Sequence, residues 1–538
     1  MTMSAERPTT DVRRLALPLG PGFAPYAWTD PPDVVAQRHG LRPEVVLRFD
    51  QNTPPLPGVP QLPLAASLAG LHEYPDGAYR ALRAAAGRYA GLAGENVVVG
   101  AGADDLILLC ARVFLGPGRR AAIAEPTYSM YRIATQLAGA EIVPGDAAAE
   151  LVWRCNPGNP SGAVVEPEEL VELARARPDA VVVVDEAYVE YGGRSCAPWV
   201  DELPNLVVLR TLSKAFGFAS LRVGYALAHR DTAALLDERR APAPIAGPAA
   251  AIAAAALDAP RLDHLAGEIA ERERVRAALL AAGFDVPPSA TNFVFVRTEE
   301  APALAARLEQ EGLVVRSFAH GLRITPRRAS DDDVLLRALG ADPGPPRGRE
   351  ATVLRTTAET ALRLTLGLDG SGRVRVETGI GFLDHLLTLL AFHAGFDLEL
   401  RAGGDLDVDE HHTVEDTVAA LGTALAQALG ERAGVARYGS ATVPMDEARA
   451  TAAVDLVRRP HAEISLAFTG DRVGGLALTL LPHALERLAM EAGCTVHVES
   501  AGTDDHHVAE AACKALGRAL RQAVAHEGGG VRSTKGAA

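Results

Sequence analysis

The apolar pattern of the chain changes character once, near residue 340. Before that point, short β-branched runs alternate with alanine- and leucine-rich stretches of helical period. ENVVVG (95–100), AAIAEP (121–126), AVVVVDEAY (180–188) and NLVVLRTL (205–212) read as strands bounded by turn residues. ALRAAAGRYAGL (81–92) and PEELVELARARP (167–178) read as helices between them. This alternation implies crossover connections and a mainly parallel sheet, and strands apolar almost throughout imply that both faces are covered. The tract AAAIAAAA (249–256) is too short to span a bilayer and reads as an interior helix segment.

The seam is GADPGPPRGRE (340–350), where prolines and glycines exclude both a continuing helix and a central strand. It divides the chain into a domain at 1–340, a linker at 341–348 and a domain at 349–538. The second domain repeats itself. FLDHLLTLLAFHAGFDLEL (382–400) aligns with LLPHALERLAMEAGCTVHV (480–498): helix, Ala-Gly break and following strand all coincide. Each copy runs on to His-His-x-x-Glu, at 411–415 and 506–510, and then into LGTALAQALG (421–430) or LGRALRQAV (516–524). Two strand–helix units in tandem predict an α+β sandwich made by duplication.

Composition narrows the class. A chain of 538 residues exceeds what one core supports, and 48% hydrophobic content is ample for several. A net charge of −15 argues against bulk nucleic-acid or anionic-membrane binding. Five cysteines without CxxC spacing give neither a disulfide framework nor a thiolate metal site, as suits a reducing cytoplasm. The first twenty residues lack the apolar core of a signal peptide, so the expectation is a cytoplasmic protein.

In the first domain, Lys214 follows a buried-type strand in TLSKAFGFASLR (211–222). On its own a lysine there reads as a surface residue. Its company points elsewhere. Asp185 sits at the carboxyl end of a neighbouring strand, where open α/β sheets place ligands. NPGNPSG (156–162) offers amide donors, Tyr128 an aromatic face, and GAGADDLILL (100–109) a glycine turn running into a helix. Arg222 lies eight residues beyond Lys214. This is the parts list of a pyridoxal-phosphate site.

These residues resemble fold-type I aminotransferases, and among them the histidinol-phosphate aminotransferases, over roughly residues 15–335. The resemblance implies a three-layer α/β domain with a small α+β subdomain. It makes Lys214 the Schiff-base lysine, Asp185 the partner of the pyridine nitrogen, and Tyr188 and Asn159 the contacts to the ring hydroxyl. Tyr128 would stack on the ring, while Ala103, Asp104, Ser213 and Arg222 would hold the phosphate. Tyr74 would reach a neighbouring subunit's cofactor, which implies a dimer, and Arg323 and Arg316 would bind the substrate carboxylate and phosphate. The departure at GADD (102–105) removes one hydroxyl at the cofactor phosphate, while those at QNTP (51–54) and PAPIAGPAA (242–250) fall near the substrate and leave aromatic, branched-chain and threonine-phosphate substrates open for this half.

In the second domain, His411 and Glu415 stand i and i+4 and share a helix face, whereas His412 is rotated by roughly 100° and points elsewhere. One motif therefore gives a His/Glu pair to one ion and a further histidine to another. His506, His507 and Glu510 do the same, and His385 and His497 stand nearby in the repeat units. Imidazole plus carboxylate without thiolate suits Mn²⁺, Fe²⁺ or Zn²⁺. The bland reading, a pair of polar helix caps, is weakened by the duplication with both glutamates in register.

The segment 348–538 resembles the imidazoleglycerol-phosphate dehydratases, through TGIGFLDHLL (378–387), GDLDVDEHHTVED (404–416), VPMDEA (443–448), HHVAEAACKALGRAL (506–520) and STKG (533–536). The resemblance implies that His385, His411, His412, Glu415, His497, His506, His507 and Glu510 hold two ions, manganese being usual. Arg437, Arg459, Ser533 and Lys535 match the substrate-phosphate contacts, and Glu359 lies near the reacting carbons; Glu359 or Glu510 would move protons. His483 aligns with His385 in the repeat but is not among the resemblance-derived ligands. Such dehydratases form 24-subunit shells. Their product, imidazole-acetol phosphate, is the substrate that histidinol-phosphate aminotransferases convert with glutamate. The expectation is a bifunctional enzyme of histidine biosynthesis. The rivals are a dehydratase joined to a transaminase of other specificity, or to a non-catalytic scaffold.

Overall fold

The computed structural model describes residues 22–54, 71–145, 147–344 and 348–530. The chain gathers into two compact units. One comprises Met1–Thr29, Phe49–Pro302 and Arg316–Arg327; the other comprises Asp30–Arg48, Ala303–Val315 and Arg328–Ala538. Among the described residues no helix is long and apolar enough to cross a membrane.

Seven strands form the main sheet of the first unit: β1 (Val97–Gly100), β2 (Arg120–Ile123), β3 (Glu141–Pro144), β4 (Leu151–Cys155), β5 (Val181–Asp185), β6 (Leu206–Thr211) and β7 (Gly224–Ala228). Their spatial order is β1-β7-β6-β5-β4-β2-β3. All neighbours are parallel except β7, which runs antiparallel to both β1 and β6. The unbroken apolar runs have the expected cause. Val182, Val184 and Val208 enter one core, while Val183, Val207 and Leu209 enter another on the opposite face. Complete burial of each such side chain favours folding by about 1.5–3 kcal/mol before entropy is counted. Helix α1 (Ala103–Phe114) leaves β1 through a glycine turn, with Gly102 at φ 84°. The alanine tract lies within the helix Gly247–Asp258, one face of which is buried. A three-stranded antiparallel sheet, β8 (Val294–Arg297), β9 (Arg316–Phe318) and β10 (Gly321–Ile324), pairs Arg316 with Arg323 in register.

The second unit shows the duplication directly. Strands β11 (Glu350–Thr356), β12 (Ala361–Gly367), β13 (Val374–Glu377) and β14 (Asp397–Gly403) form a sheet ordered β11-β12-β14-β13. Strands β15 (Tyr438–Met445), β16 (Ala448–Asp455), β17 (His461–Ser465) and β18 (Thr495–Ala501) repeat that order as β15-β16-β18-β17. In both sheets the last pair alone is parallel. The helices are α2 (Gly381–Ala394) and α3 (His411–Leu429) in the first copy, α4 (Leu480–Ala492) and α5 (Asp505–Ala523) in the second. One core joins both sheets and all four helices.

The helices pair across the copies, α2 with α5 and α3 with α4. Equivalent glycines make this possible. A Cβ on Gly517 of α5 would lie 2.5 Å from the Leu390 carbonyl of α2, and one on Gly422 of α3 would lie 2.7 Å from the Leu488 carbonyl of α4. The backbones touch where a side chain would hold them apart.

Candidate functional site

In the first unit the sequence-derived residues converge at the carboxyl ends of β5 and β6. Asp185 ends β5 and is buried; Tyr131 Oη donates to its Oδ2 at 2.8 Å and the Ala187 N–H to its Oδ1 at 3.1 Å. Burial pushes its carboxyl up to about 6, against the pull of these two donors. Tyr131 is itself fixed by stacking on Trp153 at 5.2 Å. Lys214, just past β6, has its Nζ 5.7 Å from the Tyr188 ring centroid. Burial, assisted by the Arg323 cation, draws the lysine down to about 8.

Polar groups line the same space. Asn52 donates to Tyr188 Oη at 2.8 Å and accepts from Thr325 Oγ1 at 2.7 Å, so the divergent QNTP segment still supplies an asparagine to the site. Arg323 donates to Asn159 Oδ1 at 2.7 Å and to the Asp50 carbonyl at 2.8 Å, and its buried Nε has no partner among the described residues. Tyr128 Oη and Arg222 Nη2 both reach Asp104, at 2.9 and 3.1 Å, beside the amino end of α1 that begins at Ala103. Ser213 Oγ receives a hydrogen bond from Thr211 Oγ1 at 3.0 Å. Arg316 donates to the Ala27 carbonyl at 2.9 Å. Tyr74 stands apart, 95% exposed.

This donor set fits pyridoxal phosphate. A buried carboxylate without a cationic hydrogen-bond partner suits a protonated ring nitrogen. A helix amino terminus with an arginine suits a phosphate. At the turn between them, a Cβ on Gly102 would lie 2.8 Å from Arg222 Nη2, so the cradle admits backbone only.

In the second unit the ligands fall into two clusters that exchange residues between copies. His385 of α2 meets Glu510 of α5 at 2.6 Å, and His506 of the same helix reaches that carboxylate at 3.1 Å. His411 and Glu415 of α3 lie 3.5 Å apart, and His483 of α4 stacks on His411 at 5.8 Å. In each trio the ligand atoms lie within 4.8 Å of one another. Both trios fit a divalent ion by donor chemistry, two imidazoles and a carboxylate. Burial would raise the Glu510 carboxyl, but Lys514 Nζ at 2.6 Å and His385 outweigh it and hold it at about 2.

The remaining residues separate. His412 and His507 belong to neither trio. Asp405 holds the first at 3.0 Å and Glu447 the second at 2.9 Å. His497 lies on the exposed face of β18 beside His461, with ring centroids 5.9 Å apart, away from both trios. The third member of the second trio is His483, which aligns with His385 in the repeat. Asp504 does cap α5, accepting from the His506 and His507 N–H groups, so capping and ligand placement coexist. Arg437 is paired with Asp455 at 2.7 Å and Arg459 is exposed. Ser533 and Lys535 lie outside the described residues.

Comparison with known proteins follows the same division. The family model for aminotransferase class I and II matches residues 44–341, and that for imidazoleglycerol-phosphate dehydratase matches 378–520. A histidinol-phosphate aminotransferase from Sinorhizobium meliloti, solved with pyridoxal-5'-phosphate, is 26% identical with a TM-score of 0.55, covering 63% of this chain and 98% of that one. The imidazoleglycerol-phosphate dehydratase of Chloroflexus aggregans is 52% identical over 192 residues, 35% of this chain and 94% of its own length. A dehydratase from Phytophthora nicotianae is 51% identical over 190 residues, but this chain spans only 42% of its length. The chain therefore belongs to the class I and II aminotransferases through its first part and to the imidazoleglycerol-phosphate dehydratases through its last third.

Proposed function

We propose that this chain carries out two consecutive steps of histidine biosynthesis. Its C-terminal half dehydrates imidazoleglycerol phosphate to imidazole-acetol phosphate. Its N-terminal half converts that ketone, with glutamate, to histidinol phosphate and 2-oxoglutarate. One observation carries the reading: intact donor sets for both chemistries stand on one chain, and the product of one reaction is the substrate of the other. The functional boundary runs through 341–348, between domains at 1–340 and 349–538.

In the aminotransferase half, pyridoxal phosphate supplies the electron-withdrawing ring that acidifies the amino-acid α-carbon. Asp185 holds the ring nitrogen protonated, and Tyr188 and Asn159 face the ring hydroxyl. Ala103, Asp104, Ser213 and Arg222 hold the phosphate, and Tyr128 covers the ring. A lysine lowered to about 8 keeps an appreciable neutral fraction near neutral pH, so the Lys214 amine both anchors the cofactor and moves a proton at the α-carbon. Arg323 takes the substrate carboxylate and Arg316 its phosphate. Tyr74, extended into solvent, serves the second subunit of a dimer.

In the dehydratase half, two Mn²⁺ ions supply Lewis acidity and a template for the substrate imidazole. His385, His506 and Glu510 hold one trio of ligands; His411, Glu415 and His483 hold the other. His412 and His507 complete the sets of neighbouring chains in a 24-subunit shell. His497 is left out of the set. Glu510 is committed to His385, His506 and Lys514, which leaves Glu359 to move the proton at the reacting carbon. Arg437, Arg459, Ser533 and Lys535 bind the substrate phosphate. Five free cysteines, four of them buried, suit a reducing cytoplasm.

The test is one incubation of purified protein with pyridoxal phosphate, Mn²⁺, imidazoleglycerol phosphate and glutamate, followed by mass spectrometry. Histidinol phosphate and 2-oxoglutarate are expected together, and Lys214→Ala stops the sequence at imidazole-acetol phosphate. Accumulation of imidazole-acetol phosphate in the unmutated protein would move the aminotransferase to another substrate.

A further inference from the structure

The unit that holds the dehydratase clusters also contains Asp30–Arg48, a segment from far upstream. Arg42 of this segment precedes the single turn Pro43–Val45 and reaches two carbonyl groups. Its Nη2 donates to Glu359 O at 3.2 Å and its Nη1 to Gly404 O at 3.4 Å. Both acceptors belong to loops that present site residues.

The first loop is the turn between β11 and β12. It closes on itself through Thr357 N to Thr360 O at 2.8 Å and Glu359 N to Thr357 Oγ1 at 3.3 Å. The Thr357 and Thr360 hydroxyls both donate to Asp416, the residue after Glu415 on α3. The turn is thus tied to the helix that carries one trio, and Arg42 holds its backbone at the Glu359 carbonyl. The second carbonyl precedes Asp405, whose carboxylate orients His412 at 3.0 Å. A Cβ on Gly403 would lie 2.9 Å from Arg42 Nη1, so glycine there leaves room for the guanidinium. A planar, permanently charged fork offers two separate nitrogens, fixed relative to each other, to the two carbonyls.

We infer that Arg42 is a positioning residue for the dehydratase centre, fixing the Glu359 turn and the Gly404–Asp405 segment against each other from outside the dehydratase match. The inference rests on the roles proposed above for Glu359 and His412.

The test uses the full-length chain loaded with Mn²⁺ and pyridoxal phosphate. Dehydration kinetics, bound metal and transamination of imidazole-acetol phosphate are measured for wild type, Arg42→Lys and Arg42→Ala. Arg42→Ala is expected to lower kcat for dehydration by about tenfold or more, with KM changed by less than about twofold. Bound metal and transamination stay at the wild-type level. Arg42→Lys, able to hold one carbonyl at a time, falls between. Added guanidinium ion restores activity to Arg42→Ala and does nothing for wild type. An unchanged kcat in Arg42→Ala beside an active wild type overturns the inference and leaves the dehydratase assignment standing. A loss of metal or transamination in step with dehydration, without rescue by guanidinium, also overturns it, because Arg42 would then be a folding contact. A wild-type chain that does not dehydrate imidazoleglycerol phosphate overturns the assignment and the inference with it.

Discussion

The buried charge of Asp185 destabilises the cofactor-free protein. Burial moves its carboxyl from the ordinary 3.8 to about 6 in spite of the Tyr131 and Ala187 donors. The folded chain therefore binds this proton more tightly than the unfolded chain does. Stability contributed by the protonated form is complete below 3.8 and is lost as pH rises through about 6. At 1.36 kcal/mol per pH unit the whole loss is about 3 kcal/mol, and roughly half of it develops between about pH 5 and pH 8. Asp185→Asn removes the titrating group. Its amide cannot accept from both donors, which costs about 1–3 kcal/mol at every pH, so the slope and not the level carries the test. All three tryptophans, Trp28, Trp153 and Trp199, lie in the first unit, and Trp153 stacks on Tyr131. Their fluorescence follows urea unfolding of that unit alone. The stability of the cofactor-free wild type relative to Asp185→Asn should fall by about 1 kcal/mol across that window. Pyridoxal phosphate should stabilise the wild type more than the variant, because the carboxylate gains a protonated ring nitrogen. A difference that stays flat across the window would refute the reasoning, since the carboxylate would then not be desolvated in the free protein.

Three further outcomes follow from the geometry. Chelation of divalent ions should abolish dehydration while leaving transamination of imidazole-acetol phosphate intact, as measured on the same preparation before and after Mn²⁺ is restored. His483→Ala should weaken metal binding by about 10-fold to 100-fold or more, whereas His497→Ala should leave bound Mn²⁺, measured by elemental analysis, near the wild-type level; the opposite ranking would return His497 to the ligand set. Gly517→Ala should force α2 away from α5, costing about 1–3 kcal/mol and separating His385 from Glu510. Thermal unfolding and metal titration of that variant should worsen together, and a variant with wild-type metal affinity would show that the close helix approach does not set the site.

How much of this is legible in the sequence depends on the range of the interaction concerned. Strands β1, β2, β5 and β6 of the first unit could be read from their apolar runs because burial on both faces leaves no polar alternation, and Asp185 and Lys214 could be placed because strand ends are set by local sequence. Strands β3, β4 and β7 are not evident in that pattern, and the antiparallel course of β7 depends on which neighbours it meets. The i, i+4 pairing of His411 with Glu415 followed from helical period alone. The third member of that trio did not, because His483 comes from a helix nearly seventy residues away.

The duplication shows where the division falls. Sequence by itself determined that two equivalent His-His-x-x-Glu helices exist, that each presents a His/Glu face, and that His483 is the counterpart of His385. Only the tertiary structure decided that the copies exchange helices, so that α2 serves α5 and α4 serves α3. That choice rests on backbone contacts at Gly517 and Gly422, where the absence of a Cβ lets paired helices touch. Periodicity specifies which side chains share a face. Which faces meet is set by close packing between segments distant in the chain, and that packing brings His483 beside His411 and Glu415 and leaves His497 outside both trios.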